Sequence, residues 1–369
     1  MGALERDLVA FAQQLAATPS LPGEEREVAE LVAAKLVELG YRDVTVDGLS
    51  NVVGYLGEGP PRLMFNGHLD HVPPAGMDDP YGAQIVDGHL RGRGSVDMKA
   101  NVAAGAFAAA FVDAPLRGAY IFTADVREEI DGPEGIQALL AQGLRADYGV
   151  SGEATSLDVA LGHRGKVQID VTVAGRSSHA ATPAEGENAV FRALPFLAAL
   201  QRAGERVPSD PLLGAATLTV TGIASAPPGG VAVVPSSCTI RVDRRYVRGE
   251  TPDSCRVDVE ELIDRVAAEH GAHATVELVN VYPLMATEPD HPLVRAASAA
   301  VEDATRRVPA LKAWRFGVNA TFMNAAGIPS VGIGAGDERF AHTPAERVPV
   351  CEIVQASHAY AHLIERLCA

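Results

Sequence analysis

The chain has 369 residues, 47% of them hydrophobic and 21% charged, with a formal net charge of −16. That length suits two domains better than one core. The acidic balance excludes a nucleic-acid partner, which needs clustered Lys and Arg, and no apolar run is long enough to cross a membrane.

The N-terminal run Met1-Gly-Ala-Leu-Glu-Arg-Asp lacks the basic, apolar and cleavage regions of a signal peptide, so a cytoplasmic location is expected. Cys238, Cys255, Cys351 and Cys368 form no CxxC pair and read as reduced thiols. In chain order, Leu4, Leu8, Phe11 and Leu15 mark one face of a first helix, and a second runs from about Glu24 to a stop at Gly40. Extended runs near 44–46, 51–56 and 63–66 precede an Ala-rich helix over 100–111. Strands near 120–124 and 148–151 complete an α/β core.

Val167, Ile169, Val171 and Val173 then alternate with polar residues, as in a sheet with one wet face. A helix over about 187–203, strands at 217–223 and 238–244, a helix over about 252–270 and a strand at 274–281 follow. That order, β-α-β-β-α-β, is the split βαβ plan of a ferredoxin-like domain. A helix from about Pro292, a short run at 314–316, a strand at 330–333 and a terminal helix return to the α/β style. The expected fold class is α/β, with a discontinuous first domain (1–164 and 282–369) and an inserted ferredoxin-like domain (165–281).

Five signals follow apolar strands or open helices. His68 and Asp70, two apart in Phe65-Asn-Gly-His68-Leu-Asp70, point the same way from a strand. Asp70 can then accept from one ring nitrogen of His68 while the other binds a metal. Gly92-Arg-Gly-Ser-Val-Asp97-Met-Lys places Asp97 at the start of the Ala-rich helix, where an ordinary cap is the plainer account. Ala124-Asp-Val-Arg-Glu128-Glu129-Ile-Asp131-Gly sets two carboxylates side by side at the end of a buried strand. A cation beside Glu129 leaves Glu128 a basic lone pair for proton transfer, and a solvated acidic loop is the alternative. Glu153, in Val150-Ser-Gly-Glu153-Ala-Thr, also lies just past a strand, and His342, in Phe340-Ala-His342-Thr-Pro, follows a Gly-rich strand end. Sites in open α/β sheets gather outside the carboxyl ends of strands, so the five fall on one rim. Two His and three carboxylates serve two divalent ions if one carboxylate bridges. Nitrogen and oxygen donors without Cys suit Zn2+, with Co2+ or Mn2+ as substitutes.

Together, GHLD (67–70), GRGSVDMK (92–99), REE (127–129), SGE (151–153), GRSSHA (175–180) and AHTPAERV (341–348) resemble one family of di-metal hydrolases. It is the metallopeptidase and deacylase family that includes acetylornithine deacetylase, succinyl-diaminopimelate desuccinylase, aminoacylase and bacterial glutamate carboxypeptidase. The resemblance covers nearly the whole chain. It implies a di-zinc peptidase-type catalytic domain, with the inserted domain as lid and dimerisation domain. Asp97 is then implied to bridge both metals, with His68 and Glu153 completing one site and Glu129 and His342 the other. Glu128 is implied as general base and later acid, Asp70 as the clamp on His68, and Asp97–Met98 as a cis peptide. His179 is implied to reach the neighbouring site of a homodimer and stabilise an oxyanion; without the resemblance it reads as a turn residue. Arg245, in Val242-Asp-Arg-Arg245-Tyr, matches the family's substrate-carboxylate arginine, whose planar fork suits that group. A charged strand end is the plainer account of Arg245. Asn319, in Phe316-Gly-Val-Asn319, is a further substrate-side candidate. One departure is Ala232, in Gly229-Gly-Val-Ala232-Val-Val-Pro235, where many members carry Asn.

The expected activity is therefore di-metal hydrolysis of the amide bond of a small N-acyl amino acid. A dipeptidase or carboxypeptidase of the same architecture and a non-catalytic metal-binding relative are the alternatives. His358 and His362, four apart on the terminal helix, lack the Glu of a zinc-binding helix. Gly149-Val-Ser151-Gly-Glu153 lacks the last glycine of a serine-hydrolase elbow.

Overall fold

Strands that are apolar on both faces need cover on both faces, and the first of two units in the computed structural model supplies it. That structure describes residues 1–130, 134–229 and 231–369, so Asp131 of the acidic motif and Gly230 of the Ala232 segment lie outside the described residues. Met1–Gly162, Met285–Trp314 and Val318–Ala369 form the first unit, and His163–Leu284 with Arg315–Gly317 the second.

The first unit carries a mixed sheet in the order Arg42–Val46, Val52–Gly57, Ala119–Asp125, Arg62–His68, Tyr148–Ser151, Ser330–Gly332, Val159–His163 and Met285–Ala286. Leu311–Trp314 also pairs with Val159–His163. At the centre Arg62–His68 runs parallel to Ala119–Asp125 and Tyr148–Ser151, and Ser330–Gly332 runs parallel to Tyr148–Ser151. The helix Ala100–Ala108 is buried at every position. A Cβ on its Gly105 would stand 2.5 Å from the Phe65 ring, so glycine is what lets helix and strand approach this closely. Phe65 in turn stacks on Phe122 with ring centroids 5.4 Å apart and meets Tyr360 edge-on at 5.2 Å, which pins the terminal helix Val350–Cys368 to the sheet.

Two local expectations shift. The Ala-rich helix stops at Ala108 and closes with a 3-10 turn, Ala109–Phe111. Arg315–Gly317, expected with the first domain, groups with the second unit. Gly317 packs so closely on the Tyr282 ring that a Cβ would come within 2.4 Å of it.

The second unit has a wholly antiparallel sheet in the order Thr217–Ala226, Ser237–Tyr246, Gly165–Ala174 and Ala274–Tyr282. Burial alternates along Gly165–Ala174, sending Val167, Ile169, Val171 and Val173 to one face. The helices Ala189–Gly204 and Pro252–His270 cover that face with Phe196, Leu200, Val259 and Ile263. Thr251 caps the second helix by accepting the Ser254 N–H, and Gly271 ends it in the left-handed region at φ 57°. These four strands and two helices follow one another in the chain as β-α-β-β-α-β, with a small hairpin, Ser209–Asp210 and Gly214–Ala215, before the second strand. No helix among the described residues is long and apolar enough to cross a membrane.

Candidate metal centre

Three neighbouring parallel strands, Ala119–Asp125, Arg62–His68 and Tyr148–Ser151, finish on the same edge of the first unit's sheet. His68 is the last residue of its strand, and Asp70, Glu128, Glu129 and Glu153 follow within a few residues of the strand ends. Asp97 comes from the turn Ser95–Lys99 that opens the Ala-rich helix, at an extended φ of −126°. The Asp97–Met98 peptide is cis. His342 stands at φ 61°, just beyond the turn Glu338–Phe340.

These residues converge in two groups. His68, Asp97 and Glu153 bring one donor atom each within 4.8 Å of one another, and so do Asp97, Glu129 and His342. Asp97 divides its oxygens between them: Oδ1 lies 2.9 Å from His68 Nε2, and Oδ2 lies 3.1 Å from His342 Nε2. His68 Nε2 is also 3.5 Å from Glu153 Oε1, while His342 Nε2 is 2.9 Å from Glu129 Oε1. The His68 and Glu153 side chains are 1% and 6% exposed, whereas His342 is 51% exposed.

The electrostatics show how much charge is confined here. Burial, reinforced by the charge of Asp97, pushes the Glu153 carboxyl up to about 7. Burial also lifts Glu128 well above the ordinary carboxyl range, and the charges of Glu153, Glu129 and Asp97 add to it. Glu129 is raised by burial and then by Asp97. Burial disfavours the His68 cation, yet its contacts with Asp70, Asp97 and Glu153 outweigh that and hold it protonated. Hydrogen bonds to Asp97 and Glu129 push His342 up to about 10. Burial works against the Asp97 anion, but His342 and His68 keep its carboxyl well below the usual range. Protons on two imidazoles therefore stand where cations are favoured. The donors are nitrogen and oxygen without thiolate, a set that fits divalent ions of the Zn2+ kind, which displace such protons on binding.

Asp70 acts through different atoms from those the sequence implies. His68 Nδ1 donates to the Asp70 backbone carbonyl at 3.0 Å, and the nearer carboxylate oxygen stands 3.6 Å away. The carboxylate instead accepts the backbone N–H of Glu128 at 3.1 Å and of Glu129 at 2.9 Å. Asn319, expected on the substrate side, is 3% exposed and donates from Nδ2 to Asp125 Oδ1 at 2.8 Å. Asp125 also accepts from Asn66 at 2.6 Å, so Asn319 belongs to a buried amide–carboxylate–amide chain. Its flanking residues Val318 and Ala320 are core, which draws the side chain inward.

In the second unit, Arg245 is held by Asp243 at 2.8 and 3.3 Å. His179 is exposed, and its Nδ1 accepts the Ala181 N–H at 3.0 Å, leaving Nε2 to carry the proton of the neutral ring. The carbonyl of Ala232 accepts the Ala180 N–H at 3.0 Å, so that segment runs beside His179.

Several supporting residues escaped the sequence reading. Arg93 and Glu346 form a buried ion pair at 2.5 Å, and Glu346 Oε1 accepts the N–H groups of Val96 at 3.2 Å and Asp97 at 3.4 Å. Opposite charges carried in two separate motifs, GRGSVDMK and AHTPAERV, are the signal that finds such a pair. Lys99 is buried and donates to the Thr18 carbonyl at 2.5 Å, its ammonium lowered by burial to about 7. His71 accepts the Ser20 N–H at 3.0 Å and donates to the Val72 carbonyl at 2.8 Å. Burial drives its pKa down to about 4, so it is a neutral strut. His358 and His362 pair with Glu5 and Glu365 and join no three-residue donor group among the described residues.

The sequence model of Peptidase family M20/M25/M40 matches residues 64–366. The uncharacterised protein YgeY of Escherichia coli K12 is 30% identical over 381 residues, covering 97% of this chain and 93% of that protein. The succinyl-diaminopimelate desuccinylase of Phenylobacterium zucineum is 32% identical over 389 residues, covering 98% of each. Among solved structures, the YxeP protein of Bacillus subtilis, described as a dinuclear metal-binding peptidase, matches with a TM-score of 0.77 at 18% identity, over 98% of this chain and 97% of that one. At that identity the match speaks for the mixed α/β fold.

Proposed function

The chain belongs to peptidase family M20/M25/M40 and is a metal-dependent hydrolase, and from that premise we propose that it cleaves the amide bond of a small N-acyl amino acid with two bound divalent ions. The position of Asp97 carries the reading: one carboxylate commits its two oxygens to two separate nitrogen-and-oxygen donor sets. His68, Asp97 and Glu153 would hold one ion, and Asp97, Glu129 and His342 the other. Zn2+ is the ion proposed, with Co2+ or Mn2+ as substitutes. When bound, such a pair polarises a carbonyl oxygen and acidifies a water.

The remaining work falls to the protein's own groups. Glu128 takes the proton of the attacking water and later returns it to the leaving amine. Asp70 positions Glu128 and Glu129 through their backbone N–H groups while its carbonyl orients the His68 ring. We read the second unit as a ferredoxin-like lid and dimerisation domain. Its His179 offers an exposed Nε2–H for a developing oxyanion, supplied to the neighbouring copy's site in a homodimer. Arg245 would exchange Asp243 for a carboxylate of the substrate. The homodimer reading is supported by Thr217–Ala226, an edge strand of its sheet, and by the exposed apolar side chains Phe191, Leu194 and Ile223 on the same unit. A cytoplasmic site of action completes the proposal.

The first experiment is amine release from N-acetyl, N-succinyl and N-formyl amino acids beside free dipeptides, after loading with Zn2+ or Co2+. Turnover of the acylated compounds alone supports the deacylase. Turnover of free dipeptides alone replaces it with a dipeptidase, and silence with both ions bound replaces it with a non-catalytic metal binder.

A further inference from the structure

Arg127, the residue before the paired glutamates, stands at φ 58°, in the left-handed region that side chains other than glycine avoid. Three consecutive backbone N–H groups are captured there by two carboxylates. Glu25 Oε1 accepts from Arg127 at 3.1 Å, and Asp70 accepts from Glu128 and Glu129 at 3.1 and 2.9 Å. Glu25 is 2% exposed, and the same Oε1 takes the Gly23 N–H at 2.9 Å, so one buried oxygen draws two distant stretches of backbone together.

The loop that carries Glu25, between the helices Ala3–Ala17 and Arg26–Glu38, also grips the other two segments of the site. Ser20 donates from Oγ to the Leu69 carbonyl at 2.6 Å and from its N–H to His71 at 3.0 Å. The Thr18 carbonyl receives Lys99 at 2.5 Å. Residues 18–25 are thus bonded to the segments that bear His68, Asp97 and Glu128. Residues 18–25 precede residue 64, where the match to the family begins.

We propose that Glu25 is a positioning residue for the reaction: by holding Arg127 in its left-handed conformation it aims the Glu128 carboxylate, and the loop 18–25 sets the spacing of the three site segments. The proposal rests on Glu128 as the base. Removing the Glu25 acceptor leaves the part-buried Gly23 and Arg127 N–H groups without it and frees Arg127 to relax, which turns both glutamates. A glutamine in its place keeps an acceptor of the same shape.

Glu25→Ala and Glu25→Gln, each set against wild type, test this on two readouts. In hydrogen–deuterium exchange of the metal-free protein, Glu25→Ala is expected to speed exchange at residues 126–130 by about tenfold or more while Arg62–His68 keeps its protection, and Glu25→Gln to stay near wild type. On the best acylated substrate, Glu25→Ala is expected to lower kcat by about tenfold or more with KM within about twofold and both ions retained. Glu25→Gln should recover most of that loss. Unchanged exchange at 126–130 overturns the proposal, as does a general loss of protection or a glutamine variant as slow as the alanine one. A wild type that turns nothing over removes the Glu128 reading, and the exchange experiment alone then decides whether Glu25 holds Arg127.

Discussion

The two donor groups that share Asp97 are built differently. Around His68 and Glu153 the site is sealed, with these two donor residues on or just past strands of the central sheet. Around Glu129 and His342 it is open, and His342 hangs from an exposed loop at a positive φ. One carboxylate therefore joins a half fixed by the sheet to a half fixed by loops. Buried donors in a rigid frame lose little freedom on gripping a cation, whereas an exposed loop must be ordered to do so. The sealed half should hold its ion first and release it last.

Asp97→Asn should produce the largest effect, because it weakens the shared ligand of both halves. Turnover is expected to fall to background and both ions to leave on dialysis, read by elemental analysis. An ion retained by this variant would mean that the sealed half stands without the bridge. Next comes Glu128→Ala, expected to lower kcat by about 10²–10⁴-fold with both ions in place. Near-normal turnover would remove Glu128 from the mechanism and leave the two halves as a binding site alone.

The contrast itself is tested by His68→Ala against His342→Ala. The first leaves Glu153 and Asp97 buried beside an empty position and should cost the inner ion and thermal stability together. The second should cost the outer ion and leave the melting temperature of the metal-free protein nearly unchanged. Equal losses would show that depth does not separate the halves. The smallest effect is on the wild type. Saturating one site at about a hundredfold excess over Kd contributes about 2.7 kcal/mol, a rise of several degrees in Tm. Titration by Zn2+ followed by calorimetry should resolve this rise into two steps, the tighter one belonging to His68.

Legibility in the sequence follows the same line between regular and irregular surroundings. In the second unit one wet face makes the period of two visible, and the helix expected over 252–270 is found as Pro252–His270. In the first unit Val159–His163 is buried at every position, so it offers no alternation to read. Acids and histidines just past strand ends stand out by residue type. Which atom of Asp70 meets which neighbour does not, because the course of two loops decides it. Glu25 is hidden for another reason: Glu24 and Glu25 look like an acidic helix start, yet the first is exposed and the second buried. Asn319 misleads because a polar residue in a loop suggests a solvent-facing group, while its neighbours pull it into the core.

The bond from Glu346 to the Asp97 backbone also sets an order of events in the making of the protein. Asp97 is synthesised 249 residues before Glu346, so during most of translation its N–H has no acceptor there and the outer half has no imidazole. The two donor groups therefore come together only once the segment bearing His342 and Glu346 has been made, and under the proposed di-metal reading the ions are taken up after that point.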